Sequence, residues 1–216
     1  MAEASSDSIV IKRTGDDFPI NNLDDARWRD ADCVRIEKYW SGEPAPETRH
    51  ANAKLLWSDT ALYVRFTAAQ SEPLIVSETP NLEAKTVGLW DRDVCEIFIS
   101  PDSAAPENYY EFEIAPTGEW VDLAVTCTAG NRKIDLTYYS GMQSAVRIKQ
   151  NNIVMAIRIE WKAFGKKPGF GDIWLGNLFR CVGKDPDRGY LAWRPTKTET
   201  PNFHIPGAFG EIKFSI

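Results

Sequence analysis

Strict alternation of apolar and polar side chains runs through most of this chain, and it leaves few options for the fold. Leu62, Val64 and Phe66 share one face, while Tyr63, Arg65 and Thr67 share the other. The same comb recurs in Cys95-Ile97-Ile99, Tyr110-Phe112-Ile114, Ile153-Met155-Ile157-Ile159 and Ile212-Phe214-Ile216. Polar residues fill the gaps: Glu96, Glu111 with Glu113, Arg158 with Glu160, Lys213 with Ser215. Successive side chains of a β-strand point to opposite sides, so each segment reads as a half-buried antiparallel strand. Turn-forming pairs such as Ser58-Asp59, Thr117-Gly118 and Asn151-Asn152 separate the segments. About a dozen short strands at this spacing predict an all-β domain of two packed antiparallel sheets. No stretch carries a helical stripe of useful length; a single turn at Trp161–Phe164 is the best candidate, and the weakly patterned run 71–87 is expected to contain a loop. With 216 residues the chain makes one domain.

Charge and spacing remove several function classes. A net charge of −6 argues against a nucleic-acid partner, which calls for a basic face. No run of ~18 apolar residues exists to span a membrane. Cys33, Cys95, Cys127 and Cys181 are scattered without metal-ligand spacing, and Cys95 reads as a buried free thiol. His50 and His204 are too few for a zinc site. Gly165–Gly171 lacks the order of a phosphate-binding loop, and no nucleophile elbow occurs. Met1–Ser8 has no apolar secretion core, so localisation is left open.

Two constellations carry chemistry. Glu96 and Glu113 both lie on the polar side of their strands and can face one concave surface. A glycosidase would use such a pair, set ~5 Å or ~6.5–9.5 Å apart; the alternative is a pair of solvated acids on an outer sheet face. Trp90, in Gly88-Leu89-Trp90-Asp91-Arg92-Asp93, sits among charges at a strand entry, badly placed for a core. Sugars present flat C–H faces to aromatic rings and hydroxyls to planar polar groups, so Trp90 with Glu96 supplies both halves of a carbohydrate site. The content of 8 Trp, 7 Tyr and 10 Phe suits either a stacking surface or an aromatic β core. Trp174 and Trp193, inside apolar runs, read as core.

An ordered set of segments then points to a family: Leu23–Trp28, Lys54–Val64, Trp90-Asp91-Arg92-Asp93-Val94-Cys95-Glu96-Ile97-Phe98-Ile99, Tyr109–Gly118, Ile159-Glu160-Trp161, Trp174–Asn177 and Phe203–Gly210. From about residue 20 to 216 the chain resembles a family 9 carbohydrate-binding module, of the wider DOMON-like β-sandwich group, with 1–19 as a segment leading into the sandwich. The resemblance implies a jelly-roll-like sandwich that binds a mono- or oligosaccharide without catalysis, often in partnership with a glycoside hydrolase acting on xylan or glucan, and usually outside the cytoplasm. It implies that Trp90 is one aromatic platform, Glu96 the bonding glutamate and Phe203 the second platform. Glu113 stands where an arginine is expected, and Phe179 near an expected glutamine, so the polar half of the site is rewritten. Arg188 is the candidate for a remaining arginine; His204, Asn177 and Arg180 are further candidates to line the concave sheet, with a salt bridge to Glu96 or Glu113 as the other reading of the last two. The resemblance also allows structural calcium, with Asp24, Asp25, Asp91 and Asp93 as the oxygen-rich places. A haem-binding alternative from the wider group would have to draw on His50, His204, Met1, Met142 and Met155, of which Met155 reads as core.

Overall fold

The computed structural model describes residues 7–128 and 131–216. Fourteen strands form one continuous, strongly curled sheet among those residues. They are β1 (Ser8–Arg13), β2 (Cys33–Ile36), β3 (Lys38–Tyr39), β4 (Ala51–Trp57), β5 (Ala61–Ala69), β6 (Val94–Ser100) and β7 (Asn108–Ile114). The rest are β8 (Trp120–Thr128), β9 (Asn131–Asp135), β10 (Gln143–Lys149), β11 (Asn152–Glu160), β12 (Ile173–Val182), β13 (Gly189–Ala192) and β14 (Gly210–Ser215). The order β10-β11-β5-β4-β1-β14-β12-β6-β7-β8-β9 folds back on itself, so that one half packs against the other as a sandwich. The combs of the sequence fall on strands as expected. The turn at Trp161–Phe164 is a single 3-10 turn, and no strand or helix lies between Ala69 and Leu89.

Pairing is antiparallel throughout except at β1, which runs parallel to both β14 and β4. Alternation cannot reveal this, because a parallel and an antiparallel neighbour cover the same side chains. The segment before residue 20 is therefore more than a lead-in: its strand stitches the two halves together.

The inter-sheet core collects the apolar teeth of facing strands. Val64 and Phe66 of β5 and Met155 and Ile157 of β11 come from one half; Ile97 and Ile99 of β6, Phe112 of β7 and Trp174 of β12 come from the other. All are at most 2% exposed. Cys95 is a buried free thiol in this layer, and Trp193 is core as expected. Gly210, in the closing Pro206-x-x-Phe209-Gly210 segment, lies against Trp193: a Cβ there would sit 2.4 Å from the indole ring.

Neither outer face is bare. On the β4-β5-β11 half, Phe18, Ile20, Leu23 and Trp28 cover Leu56, Tyr63 and Val154; Phe18 stacks on Tyr63 at 4.2 Å. This is where the Leu23–Trp28 segment acts, capped by the Asp25 side chain on the Arg27 N–H. On the β12-β6-β7-β8 half a second apolar cluster forms around Phe98, Tyr109, Leu123 and Phe179, under the loops that carry Leu89 and Phe203. The polar comb of β6 and β7 points into this covered side.

Candidate functional site

The loop that presents Trp90 is fixed from several directions. Gly88 adopts φ +87°, a left-handed conformation that other residues reach only with strain. It turns the chain into a 3-10 turn over Leu89–Asp91, closed by Arg92 N–H to the Leu89 carbonyl at 2.9 Å. Leu89 is fully buried and anchors the turn, which leaves the neighbouring indole pointing outward and half-buried. Arg188 then ties the backbone down: its guanidinium donates to the carbonyls of Trp90 (2.8 Å), Arg92 (2.6 Å) and Gly183 (2.8 Å). Arg92 forks onto the buried carboxylate of Glu119 at 3.0 Å, and Asp93 accepts from the N–H groups of Gly183 and Ile75.

Opposite this loop, the chain between β13 and β14 brings Phe203 and His204 over the sheet. Phe203 stacks on Phe179 at 4.0 Å with 10° between planes, so one face of its ring is taken; it is 8% exposed. Tyr190 meets it edge-on at 6.1 Å. Asn202 accepts from the His204 N–H, and the His204 ring Nδ1 shares a 2.7 Å hydrogen bond with the Tyr109 hydroxyl. Burial, then the field of Arg132, holds the imidazole down to about 3, so it is neutral at physiological pH.

Between the two loops lies a cavity of about 260 Å³. Trp90, Phe98, Tyr190 and Phe203 give it aromatic walls; Glu96, Glu111 and His204 give it polar ones. Asp91 and Arg132 stand at its exposed rim. The Trp90 indole N–H and the Arg132 guanidinium form no hydrogen bond or ion pair among the described residues.

The charge balance at the inner end is unusual. Glu96 and Glu113 are register partners on β6 and β7, and Glu111 lies two residues from Glu113 on the same face. Glu96, Glu111 and Glu113 are 2%, 3% and 0% exposed, and one carboxyl oxygen from each lies within 4.8 Å of the others. Among the described residues, no group outside the trio donates to either oxygen of Glu113 or to Oε2 of Glu111; Glu113 and Glu111 bond each other through a shared proton, and the Cys181 thiol donates to Glu96 at 3.4 Å. Burial disfavours the charged form, and each acid raises the next. Glu96 is pushed up to about 8 by burial and then by Glu111. Burial pushes Glu111 up to about 7, and Glu113 is raised well above the carboxylate range by burial and then by Glu96 and Glu111.

The structure thus brings Trp90, Glu96, Phe203 and His204 to one cavity and sets Glu113 directly behind its wall. The outer face holding these acids is covered rather than solvated. Arg188 does not line the cavity; it positions the Trp90 loop. Asn177 and Arg180 lie away from it. Asn177 clamps β12 to the chain after β13, bonding both the carbonyl and the N–H of Arg194. Arg180 projects to the other side of β12, where it donates to the carbonyls of Arg49 and His50 and to Gln70, and it pairs with neither Glu96 nor Glu113. Glu111, Tyr190 and Arg132 belong to the cavity without having been singled out from the sequence. Glu111 was signalled by its place on the same comb as Glu113.

Of the acids considered for calcium, Asp24 and Asp25 are held by Arg147 and Arg27, Asp93 by backbone N–H groups, and Asp91 stands at the rim. Among the described residues, none of these four belongs to a group of three metal-ligating side chains. Among the described residues, the one group of metal-ligating side chains close enough to share an ion is Glu96, Glu111 and Glu113. Among the described residues the haem alternative finds no paired ligands: Met142 and Met155 are in the inter-sheet core, on the other side of the sheet from His204, the His50 ring is bonded to the Ala45 carbonyl, and Met1 lies outside the described residues.

A model of the carbohydrate family 9 binding domain-like family matches residues 20–215. The chain belongs to that family. This carbohydrate family 9 domain shares the fold of a putative carbohydrate-binding protein from Bacteroides uniformis, with a TM-score of 0.76 at 17% identity over 96% of this chain and 99% of the other. A family 9 carbohydrate-binding module from Caldicellulosiruptor kristjanssonii, solved with cellotriose and again with glucose, superposes with a TM-score of 0.68 at 18% identity over 96% of this chain and 93% or 95% of the other. A curated relative named "Extracellular protein", from Arthroderma benhamiae, is 25% identical over 186 residues, 80% of each chain.

Proposed function

We propose that the domain binds carbohydrate without cleaving it, taking one saccharide unit into the cavity with its ring against Trp90 and the wall of Phe203 and Tyr190 opposite. The observation that carries this reading is that a half-buried indole, its backbone carbonyl held by Arg188, and two buried glutamates line the same small cavity. Aromatic faces receive the C–H faces of a sugar, and carboxyl groups at the inner end accept from its hydroxyls. Phe203, braced by Phe179, serves as a fixed wall rather than a free-standing platform. Family membership and the glucose and cellotriose complexes of the Caldicellulosiruptor module support the same ligand class.

The hydrolase alternative is less well served. Glu96 and Glu113 sit side by side on adjacent strands on one face, whereas a glycosidase pair must flank the bond it cleaves. Burial also works against an ionised nucleophile or base here. On this reading, any breakdown of the bound saccharide is the work of a separate glycoside hydrolase.

Calorimetric titration with glucose and cellotriose tests the proposal. Saturable binding, lost in Trp90→Ala while the circular dichroism spectrum is unchanged, is the expected result. Undiminished binding by Trp90→Ala would place the site elsewhere.

A further inference from the structure

On the outer face of the sandwich opposite to Trp90, where the Leu23–Trp28 segment crosses β4 and β5, lies a pocket of about 300 Å³. Lys54 of β4 and Arg65 of β5 line it as register partners. Like charges set directly opposite on neighbouring strands repel. Lys54 Nζ donates to the Trp28 carbonyl at 2.6 Å; Arg65 donates to the Leu23 carbonyl at 2.9 Å and to the Thr67 hydroxyl at 3.2 Å. Among the described residues neither forms an ion pair, and Arg29, exposed at the same pocket, forms no ion pair or hydrogen bond at all. The two acids of the pocket are engaged elsewhere. Asp24 is gripped by both Nη atoms of Arg147, at 2.7 and 2.6 Å, and Asp25 by Arg27, at 2.8 and 3.0 Å. Burial lowers the Arg65 guanidinium from its ordinary value, and the field of Asp24 is opposed by that of Arg147. Trp28, 4% exposed, lines the pocket too, and its indole N–H has no acceptor among the described residues. The groups left unanswered here are therefore three cations and one N–H donor, in a chain of net charge −6.

We propose that this pocket is a second carbohydrate site, which takes the carboxylate of a uronic acid unit in an acidic glycan. The saccharide class rests on the carbohydrate reading above, while the charge comes from the pocket itself. A carboxylate accepts from the fork of a guanidinium and from an ammonium at once, so one substituent answers Arg65, Lys54 and Arg29 together. Asn52, exposed and two residues from Lys54 on the same face of β4, offers its amide to ring hydroxyls. A single-stranded nucleic acid also answers positive charge, but it calls for aromatic faces on which bases stack. The one ring of this pocket, Trp28, is buried and packed against Phe18 at 5.4 Å. The site and the Trp90 cavity occupy opposite faces, so each can be filled without the other.

The test is calorimetry on the full chain at pH 7, in buffer containing a chelator, with trigalacturonate and with its fully methyl-esterified form, which keeps the rings and loses the charge. Trigalacturonate is expected to bind at least about tenfold more tightly than the ester, both to the unaltered chain and to Trp90→Ala. Arg65→Gln is expected to remove that preference, with glucose binding unchanged. Arg29→Gln, an exposed substitution, is expected to weaken trigalacturonate by about threefold and gives a separate readout should Arg65→Gln not fold. Ester binding as tight as the acid overturns the inference, as does trigalacturonate binding that is lost in Trp90→Ala or unchanged in both arginine variants. Inorganic sulfate or a trinucleotide binding as tightly as trigalacturonate overturns the saccharide assignment. Glucose titration of the unaltered chain reads the first cavity by itself: trigalacturonate binding without glucose binding overturns the Trp90 reading alone, and the reverse overturns this site alone.

Discussion

Raising the pH should destabilise this domain, and Glu96→Gln should relieve part of the loss. Glu96 is 2% exposed, with Glu111 beside it, and its folded-state pKa is pushed from 4.5 up to about 8. Between these values the folded protein holds a proton that the unfolded chain has released. Stability therefore falls as pH rises through that window, by ~1.4 kcal/mol per pH unit for one such group. His204 has the opposite sign: its pKa is lowered from 6.5 to about 3, so its contribution is present above 6.5 and lost on acidification. The range from pH 6.5 to 8 isolates the acids. Over those ~1.5 units one such group accounts for about 2 kcal/mol; the three acids titrate as a coupled set, with Glu111 releasing its proton at the lower end of the range and Glu113, raised well above the carboxylate range, adding to the loss throughout. For a domain of this size that corresponds to a fall in Tm of about 4–8 °C. Differential scanning calorimetry at pH 6.5, 7, 7.5 and 8, on the unaltered chain and Glu96→Gln, reads the slope directly. A Tm that stays level or climbs over this range, or a Glu96→Gln variant that loses stability as steeply as its parent, would refute the reasoning.

Three further outcomes follow from the packing. Arg188→Ala removes three charge-assisted bonds to carbonyls and frees the Trp90 turn; saccharide affinity should fall by about tenfold or more with the domain still folded, and Arg188→Lys should restore only part of it, as titration calorimetry will show. Phe179→Ala deletes the ring beneath Phe203 and a contact to Phe98 at 4.9 Å, and should lower stability by about 3–5 kcal/mol in a urea titration. Gly210→Ala drives a methyl group into the Trp193 ring and should cost about 1–3 kcal/mol by the same measurement.

How far the sequence carries is clear from individual residues. The period-two comb assigns faces correctly for most strands, because a strand leaves a side chain only two directions to take. It separates Phe179 and Cys181, on the cavity side of β12, from Leu178 and Arg180, on the core side. Followed strictly, it would have kept Arg180 out of the site. Asn177 shares the cavity face of its strand, yet its amide is occupied by Arg194, a contact across seventeen residues that no local pattern encodes. The acids show the same limit. Alternation places Glu96, Glu111 and Glu113 on one face, but whether that face meets water depends on the loops bearing Leu89 and Phe203, which arrive from distant parts of the chain. The register that sets Glu96 opposite Glu113 and the parallel insertion of β1 are likewise products of long-range pairing.

The most direct test is a crystal structure of the domain grown with a saturating monosaccharide. The account predicts density for a sugar ring in the cavity, lying against the indole of Trp90 with a polar substituent within hydrogen-bond distance of Glu96 or Glu111. A sugar seated instead in the open groove along β7, β8 and β9, beside Tyr110 and Lys133, with the Trp90 cavity vacant, would contradict it.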